Sequence, residues 1–193
     1  MADTETQIVN GALTKLGGIP IGSLDDQTKH GRLAKRDYPR LRDELIHEHH
    51  WRFATKRTSI AASVASPEWG FDFAYNLPSN CAKLLEVNGE DINYLDAIVR
   101  VEGGQVLTNL EAPLEIQYLR KEATDAGNFS PIFRQALEAK IASEWAIYVT
   151  GDPKIQANMV QLAREKLAKG KSIDSQEGTP KAHEANAWIL ARL

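Results

Sequence analysis

Cysteine is almost missing from this chain: Cys81 is the single thiol among 193 residues. That excludes an internal disulfide framework and any zinc site built from several cysteines. Long apolar runs are missing too. The most apolar helical stretch, 141–149, is short and carries Glu144, well under the roughly 18–20 residues a membrane-spanning helix needs. The opening Met1-Ala2-Asp3-Thr4-Glu5 is acidic and lacks the basic and apolar regions of a signal peptide. The expected setting is therefore inside a cell, or in a particle assembled there, with no membrane partner. A strong excess of one charge is lacking as well: 23 basic residues stand against 26 acidic ones, net −3, which gives no global reason to expect nucleic-acid binding. Hydrophobic residues at 42% and charged residues at 25% are globular values, and they exclude disordered, collagen-like and low-complexity classes.

The usual signatures of catalysis are also lacking. No GxGxxG or P-loop spacing occurs, and no GxSxG elbow. Cys81, in Pro78-Ser-Asn-Cys81, has no base beside it in sequence and reads as a small half-buried thiol. The most enzyme-like feature is a histidine group. On a helix, Asp43, His47 and His50 share a face at i, i+4 and i+7, a spacing that could hold a divalent ion. The pattern is not HExxH and nominates no fourth ligand, so a structural or surface role is preferred. No catalytic residue, metal or cofactor is assigned, and the chain is not expected to be an enzyme.

What the sequence does contain is a change of period. Residues 5–16 predict a short helix, with Ile8, Ala12 and Leu16 on one face and Gly17-Gly18 as its stop. A longer helix follows, capped by Ser23 or Asp25, with Ala34, Tyr38, Leu41 and Leu45 as its apolar face. Pro39 is expected to kink or break it, with the remainder reaching Trp51. Alternation then replaces helical spacing: Trp69, Phe71, Phe73, Tyr75 and Leu77 predict a strand with one aromatic face. Short strands around Leu84–Val87, Ile98–Val101, Val106–Leu107 and Leu114–Tyr118 complete an antiparallel meander, with Asn88-Gly89 and Gly103-Gly104 as turns. Ser130-Pro131 opens a third helix along Phe133, Leu137, Ile141, Trp145 and Tyr148, and Gly151 ends it. Asp152-Pro153 opens a fourth, with Ile155, Met159, Leu162 and Leu167 on one face. From Lys171 to Pro180 the composition is that of a linker, and Trp188, Ile189, Leu190 and Leu193 follow. The fold class is thus α+β: a bundle of two N-terminal helices (1–60) and two C-terminal helices (126–170), an inserted β-meander (61–125) and an extended C-terminal arm (171–193).

Charge is unevenly laid out within the small total. From Lys29 to Arg57 nine bases face four acids, whereas from Glu68 to Asp125 eleven acids face four bases. Arg32, Lys35, Arg36, Arg40 and Arg42 on the second helix read as a basic face for a neighbouring subunit or for DNA in a channel. Asp37, Asp43 and Glu44 interrupt that face, and it lacks stacking aromatics for sequence readout. Trp51, Phe53, Trp69, Phe71, Phe73 and Tyr75 are expected to pack as the joint between helices and strands. Trp188, Ile189, Leu190 and Leu193 read as anchors of an arm that docks on a partner or folds back on its own core.

Four stretches together carry a resemblance. They are Asn10-Gly-Ala-Leu-Thr-Lys-Leu-Gly-Gly18, then Tyr38-Pro-Arg-Leu-Arg-Asp-Glu-Leu45 leading to His50-Trp-Arg-Phe-Ala54, then Tyr75-Asn-Leu-Pro-Ser-Asn80, then Pro113-Leu-Glu-Ile-Gln-Tyr118 running into Phe129-Ser-Pro-Ile-Phe133. In order and spacing, roughly from residue 5 to 170, the chain resembles the tail tubular protein A family of short-tailed phages, which are head-to-tail adaptors. The resemblance implies a non-enzymatic virion protein, made in the host cytoplasm, whose copies (typically twelve) form a ring below the portal protein. Such a ring extends the DNA channel, touches packaged DNA without sequence specificity, and carries the tail nozzle protein and, in some phages, tail fibres. In head-completion adaptors a C-terminal arm grips the portal, a role that would fall here on Trp188, Ile189, Leu190 and Leu193. The competing reading is a DNA-binding accessory protein that uses the basic second helix.

Overall fold

A computed structural model describes residues 4–95, 97–121 and 126–177. Among the described residues four helices, α1 (Glu5–Lys15), α2 (Lys29–His47), α3 (Pro131–Thr150) and α4 (Pro153–Gln176), flank seven strands. The strands are β1 (Thr55–Ile60), β2 (Phe73–Asn76), β3 (Cys81–Val87), β4 (Glu90–Asp91), β5 (Val99–Glu102), β6 (Gln105–Thr108) and β7 (Leu114–Arg120). The fold is α+β, with antiparallel strands inserted between the two halves of a helical bundle, as the order of periods predicts.

Local chemistry sets the helix ends. Thr4 and Gln7 form a capping box at the start of α1. At its other end Gly17, with φ +66°, lets the Gly18 N–H reach the Leu13 carbonyl at 2.8 Å. The α2 cap is Thr28, whose hydroxyl accepts from the Gly31 N–H, rather than Ser23 or Asp25. Those two lie in the preceding turns, where Asp26 accepts from the Gly22 N–H. Gly31 is required there: a Cβ on it would stand 2.3 Å from the Asp26 carbonyl oxygen. Pro39 does not break α2, which runs continuously to His47 and stops short of the expected Trp51. Ser130 and Asp152 cap α3 and α4, and Gly151 ends α3 at φ +71°, all as expected.

Two corrections concern segment boundaries. Thr55–Ile60, placed by composition with the N-terminal helices, is an edge strand. The helix α4 does not yield to a linker at Gly170 but continues to Gln176. Its end is pinned: Gly170 packs tightly on Trp51, where an added Cβ would stand 3.2 Å from Cη2. The buried Asp174 accepts from the Arg52 N–H at 3.3 Å and lies 3.0 Å from His49 Nε2.

The strands form two antiparallel sheets, ordered β1-β7-β3-β4 and β2-β6-β5. The bundle core is Ile8, Leu13, Tyr38, Leu41, Leu45, Trp51, Phe133, Leu137, Ile141 and Trp145 with their neighbours. A second core lies between the sheets, built from Tyr75, Val87, Val99, Val106, Leu114, Ile116 and Tyr118. The strand β7 serves both. Alternate side chains point to opposite faces, so Leu114, Ile116 and Tyr118 enter the sheet core while Leu119 enters the bundle core.

Candidate functional site

The basic face expected on α2 is largely neutralised within the chain. Lys35 pairs with Asp25 at 2.8 Å, Arg36 with Asp37 at 2.7 Å, and Arg40 with Glu44 at 3.5 Å. Arg42 is not a surface residue at all: it is buried, 2.8 Å from Asp43 and 3.6 Å from Glu5, and lies over the Tyr38 ring. Arg32 donates to the Gln27 carbonyl at 2.6 Å. One of these pairs ties the bundle together. The Asp37 carboxylate also accepts from Trp145 Nε1–H on α3 at 3.0 Å. The hydrogen bond from Arg36, with Trp145 adding to it, holds the carboxyl below its ordinary pKa against the opposing effect of burial. Tyr38, buried nearby, has its phenol pushed well up by desolvation.

The aromatic joint divides into three. Trp51 and Phe53 cluster with Phe129 and Phe133 in the bundle core, ring centres 4.8 to 5.3 Å apart for the tighter pairs, and Trp51 Nε1–H donates to the Leu45 carbonyl. Phe73 and Tyr75 belong to the sheet core. Trp69 joins neither: it is 80% exposed, and Phe71 is half-buried. The reason is backbone geometry. Gly70 takes φ +87°, so the alternation that begins at Trp69 does not become a strand until Phe73.

The histidines do not assemble a metal centre. His47 Nδ1 lies 2.7 Å from the Asp43 backbone carbonyl, the Asp43 carboxylate is turned to Arg42, and His50 lies beyond the helix end, 3.3 Å from Lys83 Nζ. Burial and then Lys83 push His50 below its ordinary pKa. Among the described residues no group of three possible ligands is clustered. Cys81 is half-buried, and desolvation raises its thiol pKa. Trp188, Ile189, Leu190 and Leu193, the expected arm anchors, lie outside the described residues.

Two surfaces stand out that sequence reading does not delineate. The first is the open face of the larger sheet. The register places Arg57, Gln117 and Glu86 in a row across β1, β7 and β3. Adjoining hollows of about 550 and 420 Å³ share this row and extend to His50, Arg52 and Lys56. Arg57 donates to Gln117 at 2.7 Å, whereas the side chains of Arg52 and Lys56 have no carboxylate partner among the described residues. The second is the lobe formed by the small sheet. A hollow of about 420 Å³ on its outer face is lined by Pro67, Trp69, Phe71 and Leu107 with Glu68 and Glu102. Val64, Ile98 and Val101, also exposed, belong to the same lobe. Its charge is acidic: Glu68, Asp72, Glu102 and Glu111 face one base, Arg100, which pairs with Glu102 at 3.7 Å. The alternating aromatics from Trp69 were visible in the sequence, but the exposure of Trp69 was not. No family model matches the chain, and no curated protein matches it.

Proposed function

We propose that the chain is a structural subunit of a head-to-tail adaptor. Its copies close into a ring below a portal protein, extend the DNA channel and carry the tail nozzle, in virions assembled in the host cytoplasm. The reading rests on the resemblance across residues 5–170 to the tail tubular protein A family. The observation that carries it furthest is the segregation of unlike surfaces. An acidic, aromatic lobe lies on one part of the chain, and an open polar trough bearing Arg52, Lys56 and Arg57 beside Glu86 and Asp91 lies on another. Unlike patches on one subunit suit head-to-tail pairing, and head-to-tail contacts form a ring where the rotation between copies closes. In this reading the chain is not an enzyme, and contact with DNA in the channel is non-specific. The basic helix supports sequence-independent DNA binding less well as the main role, because three of its surface cations already have carboxylate partners.

The test is co-sedimentation. Full-length chain mixed with portal rings is expected to migrate with them as one larger species, with a fixed number of copies per ring. Free chain and free portal migrating separately at micromolar concentrations of both would refute the proposal.

A further inference from the structure

We infer that the segment 178–193 seats Trp188 and Ile189 in the groove between α2 and α4, over the middle of α3 of the same copy. The inference goes beyond the ring reading and does not rest on it. The groove is a hollow of about 310 Å³. Leu45 on α2, Ala136 and Ser143 on α3, and Val160, Ala163 and Leu167 on α4 line it. Its polar groups already have partners. Ser143 Oγ–H donates to the Lys140 carbonyl at 2.8 Å, Lys140 pairs with Glu44 and Glu144, and Glu48 pairs with Lys171 at 3.3 Å. What the groove lacks among the described residues is an apolar cover. The helix α3 buries nine of its 20 residues. By contrast α4 buries only Gly170 and Asp174 of its 24, and its Val160, Ala163 and Leu167 stay half-buried.

Three arguments favour the chain's own segment as the occupant. The first is chemistry. Ala185, Trp188, Ile189 and Leu193 recur at i, i+3, i+4 and i+8, a spacing that gathers them on one side of a helix. A largely aliphatic groove with its polar groups satisfied suits an indole and a branched alkyl chain. The second is reach. The helix α4 ends at Gln176, and Leu167 and Val160 lie about 14 and 24 Å back along its axis. The stretch from Glu177 to Trp188 spans up to about 36 Å when extended, and Gly178 and Pro180 suit the reversal it needs. The third is tethering. A short flexible link holds its far end at an effective concentration of the order of millimolar, about a thousandfold above a second copy at micromolar concentration.

The experiment is cross-linking of the full-length chain by a short bismaleimide at about 5 μM, far below the effective concentration of the tether. Cys81→Ser removes the native thiol from every variant. Ala187→Cys sets one thiol beside Trp188. The second is set by Arg164→Cys at the rim of the groove or, as the control, by Lys169→Cys. Both positions are exposed, but Lys169 lies about 140° around the helix from Arg164 and nearer the root of the segment. Unchanged melting of each variant confirms that it is folded. The Arg164→Cys chain is expected to close an intramolecular link at least about tenfold faster than the Lys169→Cys chain. Adding Trp188→Ser with Ile189→Ser is expected to erase that preference. Equal rates at the two positions with Trp188 and Ile189 in place, or a preference for Lys169→Cys, show a segment that swings freely and overturn the inference. A preference that survives Trp188→Ser with Ile189→Ser overturns it as well, since other side chains then hold the segment. Links formed mainly between two copies point to a second copy as the occupant and overturn it too, as does no link at either position. Portal co-sedimentation decides the ring reading separately, whichever outcome is found.

Discussion

Replacing Asp37 by Ala tests how the two halves of the bundle are joined across the inserted strands. Asp37 on α2 accepts from Trp145 Nε1–H on α3 at 3.0 Å, and both residues are buried. Alanine would leave that N–H without an acceptor, at a cost of about 1–3 kcal/mol. The ion pair with Arg36 adds little, because the Arg36 side chain is 72% exposed; pairs of that kind contribute at most about 1 kcal/mol. The expected loss is therefore about 2–3 kcal/mol, or a fall in Tm of about 5–10 °C for a chain of this length. Urea unfolding followed by circular dichroism measures it. Asp37→Asn keeps an acceptor for Trp145 and is expected to cost less than about 1 kcal/mol at neutral pH. The pH dependence has a definite sign. The Asp37 carboxyl is held below its ordinary value near 3.8, chiefly by Arg36. The unfolded chain therefore takes up this proton first as pH falls. The stability Asp37 supplies is complete above the ordinary value and is lost as pH drops through the lower folded value. The difference between parent and Asp37→Asn should narrow over that acidic window. A loss under about 0.5 kcal/mol for Asp37→Ala would refute the assignment of this bond as a tie between the halves.

Three further outcomes are expected. Gly31→Ala sets a methyl 2.3 Å from the Asp26 carbonyl oxygen, so it should lower the urea midpoint by the equivalent of roughly 2 kcal/mol or more; an unchanged midpoint contradicts the close approach. Asp174→Ala removes the acceptor for the Arg52 N–H and the partner of His49. It should cost about 2 kcal/mol and speed amide exchange at 170–176 well before α1; uniform exchange along the chain would count against a local anchor. The Cys81 thiol, raised by burial, should react with a disulfide reagent near pH 7.5 at least about tenfold more slowly than in urea; equal rates would show an open thiol.

Much of the fold was legible because helix ends and period changes are written locally. Ser130-Pro131 and Gly151-Asp-Pro153 specify where α3 stops and α4 starts without reference to the rest of the chain. The misread positions are those where a distant contact decides. Ser23, Asp25 and Thr28 all suit an N-cap, and it is the packing of Gly31 on Asp26 that favours Thr28. The strand β1 has one aliphatic residue, Ile60, because it is an edge strand with an open polar face, so alternation is weak there. The polar run after Gly170 resembles a linker until Trp51 and Arg52, far away in sequence, hold Gly170 and Asp174 in place. At the candidate site the sequence shows cations in a row but not their partners. Asp25, Asp37, Glu44 and Glu5 fold against the α2 cations, which shifts attention to Arg52, Lys56 and Arg57. Trp69 carried the same hydrophobic signal as Tyr75, and only the left-handed turn at Gly70 separates an exposed side chain from a core residue.

The central claim, an adaptor ring, is tested most directly by electron microscopy of portal rings mixed with the full-length chain. The account predicts a continuous ring of added density on the tail-side face, coaxial with the portal channel and sharing its rotational symmetry. Portal rings left bare, or density scattered over their sides without symmetry, would contradict it.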